Sequence, residues 1–207
     1  MKVGIVNYGM GNLGSVRRAF EDLNVDAFIA EHPAALLEGN RIVLPGVGSF
    51  FDGMAMLRAG GWIEMLQRLV QQDGQPLLGI CLGMQMLAGS GEEGGFTLGL
   101  GLVPGRVRRL DLIGCTLRIP HVGWNDIASD SSCGLFAHIP SGSDFYFAHS
   151  YAFEAENGED VIATTSYGVP MVAAVRRGHV FGTQFHPEKS SKAGRQLLRN
   201  FLDYVPC

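Results

Sequence analysis

Pro76-Leu77-Leu78-Gly79-Ile80-Cys81-Leu82-Gly83-Met84-Gln85-Met86-Leu87 decides how the chain is read. Pro76–Ile80 is a short apolar run that reads as a buried strand, and Leu82–Leu87 begins a helix. Cys81 stands between them, with Gly79 and Gly83 on either side. This is the nucleophile-elbow pattern with Cys in place of Ser. The glycines permit a sharp strand-to-helix turn, and the side chain at its apex stands clear at the carboxyl end of the strand. The amino end of the following helix carries partial positive charge, which favours a thiolate. A free cysteine is more often a small buried apolar residue, so the pattern by itself leaves both readings open. The stretch from Gly74 to Gly91 carries no charge, but Gln75, Pro76, Gln85 and its glycines fit a buried strand and helix better than a membrane span.

Upstream, Lys2–Val6, Ala27–Ile29 and Arg41–Leu44 read as strands, the last stopped by Pro45-Gly46. Leu13, Val16, Phe20 and Leu23 recur at helical spacing, and Phe51–Leu57 and Ile63–Val70 are two more helical stretches. Strand–helix alternation predicts an α/β fold with a mostly parallel central sheet and helices on both faces. Downstream, extra strands are expected at Arg106–Leu110, Thr116–Pro120, Phe145–Ala148, Val161–Thr165, Val172–Val175 and Val180–Phe185, before a closing helix over Ser191–Tyr204. No linker separates the halves, so residues 1–207 read as a single domain. With a net charge of −4, nothing suggests a general nucleic-acid binder, which needs a basic face. Cys81, Cys115, Cys133 and Cys207 form no C-x-x-C pair, so neither a zinc ribbon nor a disulfide scaffold is expected, and a reducing cytoplasm is the simplest compartment. The amino terminus is too glycine-rich for a signal peptide.

Three further segments carry chemistry. Val180–Phe185 runs into His186-Pro187-Glu188. Proline turns the chain there, so a carboxylate on one imidazole nitrogen fixes the tautomer while the other nitrogen serves a nucleophile. His32, His121, His138, His149 and His179 lack that context. Leu44-Pro45-Gly46-Val47-Gly48 ends a strand with glycines around Val47, leaving backbone free to aim N–H groups into a cleft. Val47 and Leu82 are the expected oxyanion donors, although taken alone the first segment is better read as a plain βα turn. Finally, Gly9-Met10-Gly11-Asn12-Leu13-Gly14 fits G-x-G-x-x-G, with Glu31 placed for a ribose contact. That is a dinucleotide fingerprint in form, and any tight βα turn has the same need for glycine.

Together Asn7–Asn12, Leu44–Gly48, Gly79–Gln85, Pro120–Asn125, Tyr146–Tyr151 and Phe181–Ser190 resemble, in order and over nearly the whole chain, the triad-type (class I) glutamine amidotransferases. The Gly79-Ile80-Cys81-Leu82-Gly83-Met84-Gln85 and Gln184-Phe185-His186-Pro187-Glu188-Lys189-Ser190 stretches carry the resemblance. Pro120-His121-Val122-Gly123-Trp124-Asn125 narrows it to the glutaminase subunits that serve histidine biosynthesis. The resemblance implies one flavodoxin-like domain and a Cys81–His186–Glu188 triad that forms a thioester with glutamine. It implies that Gly46, Gly48, Gln85, Ser150 and Tyr151 hold the substrate. Asn12, Pro120, Trp124, Tyr146 and Lys189 are expected at or near the face of a TIM-barrel cyclase partner in a heterodimer, which takes up the ammonia. No cofactor, metal, nucleic acid or membrane is implied. A sister subgroup supplies ammonia for amidino groups on sugars and shares most of these motifs. The competing classes are an NAD-binding oxidoreductase resting on Gly9–Gly14, a non-catalytic regulatory module, and an ordinary Cys or Ser hydrolase.

Overall fold

The computed structural model describes residues 1–129 and 134–205. In the first half, strands and helices alternate as β1 (Lys2–Val6), α1 (Leu13–Glu21), β2 (Asp26–Ala30), β3 (Arg41–Gly46), α2 (Phe50–Ala59), α3 (Trp62–Gln67), β4 (Leu77–Cys81) and α4 (Leu82–Met86). The second half is richer in strands: β5 (Ser90–Gly91), β6 (Thr97–Leu98), β7 (Gly105–Arg109), β8 (His121–Asp126), β9 (Ala128–Ser129), β10 (Asp144–His149), β11 (Tyr151–Ala155), β12 (Val161–Ser166), β13 (Pro170–Arg177) and β14 (Val180–Thr183), closed by α5 (Ser191–Asp203).

Eight strands form the central sheet in the order β2-β1-β3-β4-β14-β13-β12-β9. Pairing is parallel from β2 across to β14 and antiparallel from β14 outward. Every residue of β4 is buried, as a strand covered on both faces requires. One face packs against Phe50, Met54 and Leu57 of α2 and Trp62 and Leu66 of α3. The other packs against Val16 and Phe20 of α1 and Leu197, Leu198 and Phe201 of α5. The order in which strands are added reverses between β1 and β3, which stay parallel, and crevices at the carboxyl ends of strands beside such a reversal are where open α/β sheets bind ligands. Two smaller sheets, β11-β7-β5-β6 and β10-β8, complete the fold, and β10 leads through Ser150 directly into β11. Among the described residues no helix is long and apolar enough to cross a membrane.

Several boundaries differ from expectation. β3 does not stop at Pro45: Pro45 and Gly46 pair with Ile80 and Cys81. The β1 partner ends its register at Val43, so the N–H that proline lacks is not needed on that side. Thr116–Pro120 is not a strand; Thr116, Leu117 and Arg118 are exposed, and pairing begins only at His121. β14 leaves the ladder at Thr183 rather than Phe185, and the Thr183 hydroxyl donates to the Phe185 carbonyl across the bend (3.1 Å). Helix α3 passes after Gln67 into a π-helical turn over Arg68–Gln72. β8 and β11 are strands that the sequence pattern did not announce. Cys133 and Cys207 lie outside the described residues.

The β4–α4 junction rests on very close backbone approach. A Cβ at Gly79 would lie 2.7 Å from the Gly83 carbonyl oxygen, and a Cβ at Gly83 would collide with the carbonyl oxygen of Leu44. The obstacle at Gly83 is backbone in the middle of the sheet, which cannot swing aside. Gly83→Ala is therefore expected to destabilise the fold by about 2 kcal/mol or more, the upper part of the range for overpacking. Urea unfolding checks this, and an unchanged midpoint would show that α4 is not held where it is described.

Candidate active site

Cys81 ends β4 at φ 55°, ψ −109°, a left-handed backbone conformation that a non-glycine residue adopts only when its surroundings enforce it. The enforcement comes from the Gly79–Gly83 contact and from α4 starting at the next residue. Cys81 is 6% exposed and lines a cleft of about 340 Å³. Its sulfur lies 3.7 Å from Gln184 Nε2 and 3.8 Å from the Ala148 carbonyl oxygen.

His186 enters the same cleft from the bend after β14. Its main chain is pinned at both ends: the His186 N–H donates to the Tyr146 carbonyl (2.9 Å), and its carbonyl accepts from the Ser190 hydroxyl (2.6 Å). Glu188 Oε1 lies 2.8 Å from His186 Nδ1 and the Glu188 side chain is almost wholly buried, so the carboxylate accepts from Nδ1–H and Nε2 is the nitrogen left for Cys81. Burial alone lowers the imidazole pKa, but hydrogen bonding and charge from Cys81 and Glu188 outweigh it and raise the pKa to about 9. The ring therefore holds a proton across the neutral range.

His149 is a contrasting case in the same cleft. Its Nδ1 meets the Tyr151 carbonyl at 2.8 Å, and its Nε2 meets His121 Nδ1 at 3.0 Å. A carbonyl only accepts, so His149 carries its proton on Nδ1 and accepts at Nε2 from His121. Burial drives its pKa down to about 3 and that of His121 to about 4. With both nitrogens occupied and the ring neutral, His149 has no lone pair left to serve Cys81.

The residues expected from sequence separate into groups. Val47, Gly48, Leu82, Gln85, Pro120, Ser150, Tyr151 and Lys189 line the cleft together with Cys81 and His186. Leu82 opens α4, where backbone N–H groups have no partner within the helix. Gly48 has φ +105°, and the methyl end of Met10 sits where its Cβ would be. Gly46 lies behind the wall, paired with Cys81 across β3 and β4. The Gln85 amide donates to the Tyr151 carbonyl (2.9 Å) and to Gln184 Oε1 (3.0 Å), so it fixes the Ser150–Tyr151 segment. Trp124 and Tyr146 are edge-on at 6.1 Å, and Lys189 Nζ sits 5.7 Å over the Tyr146 ring, which gathers three of the residues expected at a partner face into one patch. Asn12 stands apart as the N-cap of α1, accepting from the Ser15 N–H.

Two cleft neighbours escaped the sequence reading. Gln184 is fully buried and donates to the Cys81 sulfur, yet in sequence it is one polar residue between Thr183 and Phe185. Glu93 lines the cleft, accepts from the Phe50 N–H (2.9 Å), and has its carboxyl pKa raised by burial; its Gly91-Glu92-Glu93-Gly94 setting reads as an ordinary turn. The dinucleotide fingerprint loses its physical basis. In such a fingerprint the third glycine permits close helix–strand packing, but a Cβ at Gly14 would meet nothing within 4 Å, and Glu31 is engaged by Asn7 Nδ2 at 2.7 Å.

The family model described as glutamine amidotransferase class-I matches residues 5–205. The chain is 43% identical, over 98% of its length and 95% of the relative's, to imidazole glycerol phosphate synthase subunit HisH of Moorella thermoacetica. It is 47% identical, over 98% and 94%, to the protein of the same name from Desulfitobacterium hafniense (strain DSM 10664 / DCB-2). Among solved structures, PurLQS from Thermotoga maritima superposes with a TM-score of 0.78 over 98% of both chains at 19% identity. A glutamine amidotransferase crystal structure does so with 0.77 over 97% of both at 21% identity. At such identities the two structures speak for the fold alone. With a family model spanning nearly the whole chain and relatives above 40% identity over nearly their full length, the chain belongs to the class I glutamine amidotransferases.

Proposed function

We propose that this chain is the glutaminase subunit of an imidazole glycerol phosphate synthase, releasing ammonia from glutamine for a TIM-barrel cyclase with which it forms a heterodimer in the cytoplasm. The observation that carries the chemistry is the convergence in one cleft of a thiol on a strained turn and an imidazole oriented at 2.8 Å by a buried carboxylate. The names of its relatives support the pathway.

Cys81 Sγ attacks the side-chain amide carbon of glutamine, and the carbonyl electrons move onto oxygen. Once the Val47 peptide is turned inward, its N–H and that of Leu82 stabilise the oxyanion, each such donor being worth about 3 kcal/mol. When the oxyanion collapses, the C–N bond breaks and the nitrogen leaves as ammonia with the proton held by His186, whose raised pKa suits it as the acid. The resulting glutamyl thioester is cleaved by water. His186, now neutral, takes the water's proton as hydroxide attacks; the C–S bond breaks, and glutamate departs. Glu188 keeps the imidazole in one tautomer throughout. Gly48, Gln85, Ser150 and Tyr151 position the substrate, with Gln85 acting through the Tyr151 carbonyl it holds. Pro120, Trp124, Tyr146, Lys189 and the Asn12 loop form the partner's face, which supports passage of ammonia away from bulk solvent.

Cys81→Ala is expected to lower glutamine turnover by about a thousandfold or more while the protein stays folded, since no thioester can form. Retained turnover in a folded variant would remove Cys81 from the mechanism.

The pH dependence of thioester formation should be flat through neutrality and fall above about pH 9, where His186 loses its proton. Glu188 raises that pKa, so Glu188→Gln should shift the falling limb to lower pH and cost less activity than His186→Ala. Single-turnover kinetics across the pH range checks both, and an unmoved limb in Glu188→Gln would contradict the orienting role.

The chain alone is expected to hydrolyse glutamine poorly, because the glycines around Val47 allow its peptide to turn its N–H away from the cleft at low steric cost. The cyclase, binding better when the N–H points inward, would shift that equilibrium. Turnover measured for the chain alone, with the cyclase, and with the cyclase plus imidazole glycerol phosphate should rise in that order. Full turnover by the isolated chain, unchanged by either addition, would rule this control out.

A further inference from the structure

Tyr8 sits on the loop after β1, in the Asn7-Tyr8-Gly9-Met10-Gly11 stretch that leads to α1. Its side chain is 5% exposed, and its hydroxyl has no hydrogen-bond partner among the described residues. A buried hydroxyl left unpaired is costly, so the residue calls for an explanation that phenylalanine would not. Its position is specific. A Cβ at Gly46 would lie 2.5 Å from the Tyr8 hydroxyl oxygen, and Gly46 is paired with Cys81. The hydroxyl is thus packed on the backbone that begins the oxyanion turn, and Tyr8, unlike Val47, does not line the cleft. The same loop meets the turn again through Met10, which lies against Gly48. Burial first, and then the charge of Cys81, raise the phenol pKa, so the group stays a donor throughout the working pH range.

We propose that Tyr8 is a positioning residue for the oxyanion turn, its hydroxyl donating to the Gly46 carbonyl when the Gly46–Val47 peptide aims its N–H into the cleft. In a trans peptide the N–H and the preceding C=O point in opposite directions. Turning the Val47 N–H toward the substrate therefore turns the Gly46 carbonyl toward the floor, where the Tyr8 hydroxyl waits unpaired. One hydrogen bond is gained only in the donor-inward state, so it biases the equilibrium toward catalysis. This rests on the glutaminase reading and identifies what steadies its oxyanion donor.

The test is Tyr8→Phe in the full complex with the cyclase and imidazole glycerol phosphate, reading kcat and KM for glutamine together with the thermal midpoint of the chain. Stimulated kcat should fall about tenfold with KM little changed, because the lost bond favours the donor-inward state that stabilises the oxyanion and does not touch glutamine. The thermal midpoint should hold or rise, because the variant keeps the ring and deletes an unpaired hydroxyl. A fallen midpoint would mean that the hydroxyl is already bonded in the free chain and would overturn the proposal. A stimulated wild type beside an equally stimulated Tyr8→Phe would overturn it alone. A wild type with no stimulated turnover would overturn the glutaminase reading and this inference with it.

Discussion

The rest of the site depends on how closely α4 is pressed onto β3 and β4. Gly83 lies so near the Leu44 carbonyl that no side chain fits between them, and a Cβ at Gly79 would in turn crowd the Gly83 carbonyl. This contact leaves the chain one way to pass from strand to helix, with Cys81 at φ 55°. That single strained residue places the thiol at the carboxyl edge of the sheet, opposite Gly46, and puts Leu82, which lines the same cleft, at the start of a helix. Local strain is tolerated because the surrounding sheet is buried on both faces and cannot relax around it.

Electrostatics then sorts two buried histidines into different roles. His186 and His149 are similarly hidden, at 5% and 6% exposed, and both line the cleft. His186 faces a thiol and a carboxylate, so its protonated form is stabilised. His149 faces a carbonyl and a second histidine, so its neutral form is kept and its lone pair is used. Burial lowers both pKa values; only the charged partners of His186 reverse that effect. The neutral pair has a structural consequence: together with Gln85 it fixes the Tyr151 carbonyl and joins β8 to the segment that closes the cleft.

What was legible in the sequence was what obeys local rules. The β4 strand, the glycines around Cys81 and the strand–His–Pro–Glu turn each announce a backbone shape, and the parallel half of the sheet follows from strand–helix alternation. The missed parts have physical reasons. β8 carries Val122 and Trp124 on its exposed side and His121 and Asn125 on its inner side, which inverts the usual alternation and hides the strand. β11 follows β10 after only Ser150, too short a break to divide them in the sequence. Pro45 looked like a stop because its missing N–H matters only where a neighbouring strand is present, and β1 has already ended its pairing there. Gln184 and Tyr8 look like ordinary core neighbours in one dimension. Their polar atoms acquire meaning only from what lies next to them, the Cys81 sulfur and the Gly46 backbone.

The central claim is that Cys81 becomes covalently joined to the γ-carbonyl of glutamine. Rapid acid quenching of the chain during turnover with its cyclase partner, followed by peptide mass analysis, tests it most directly. A glutamyl group on the peptide containing Cys81, absent without glutamine, is the predicted result. Turnover that proceeds with the adduct on a different residue would contradict the account.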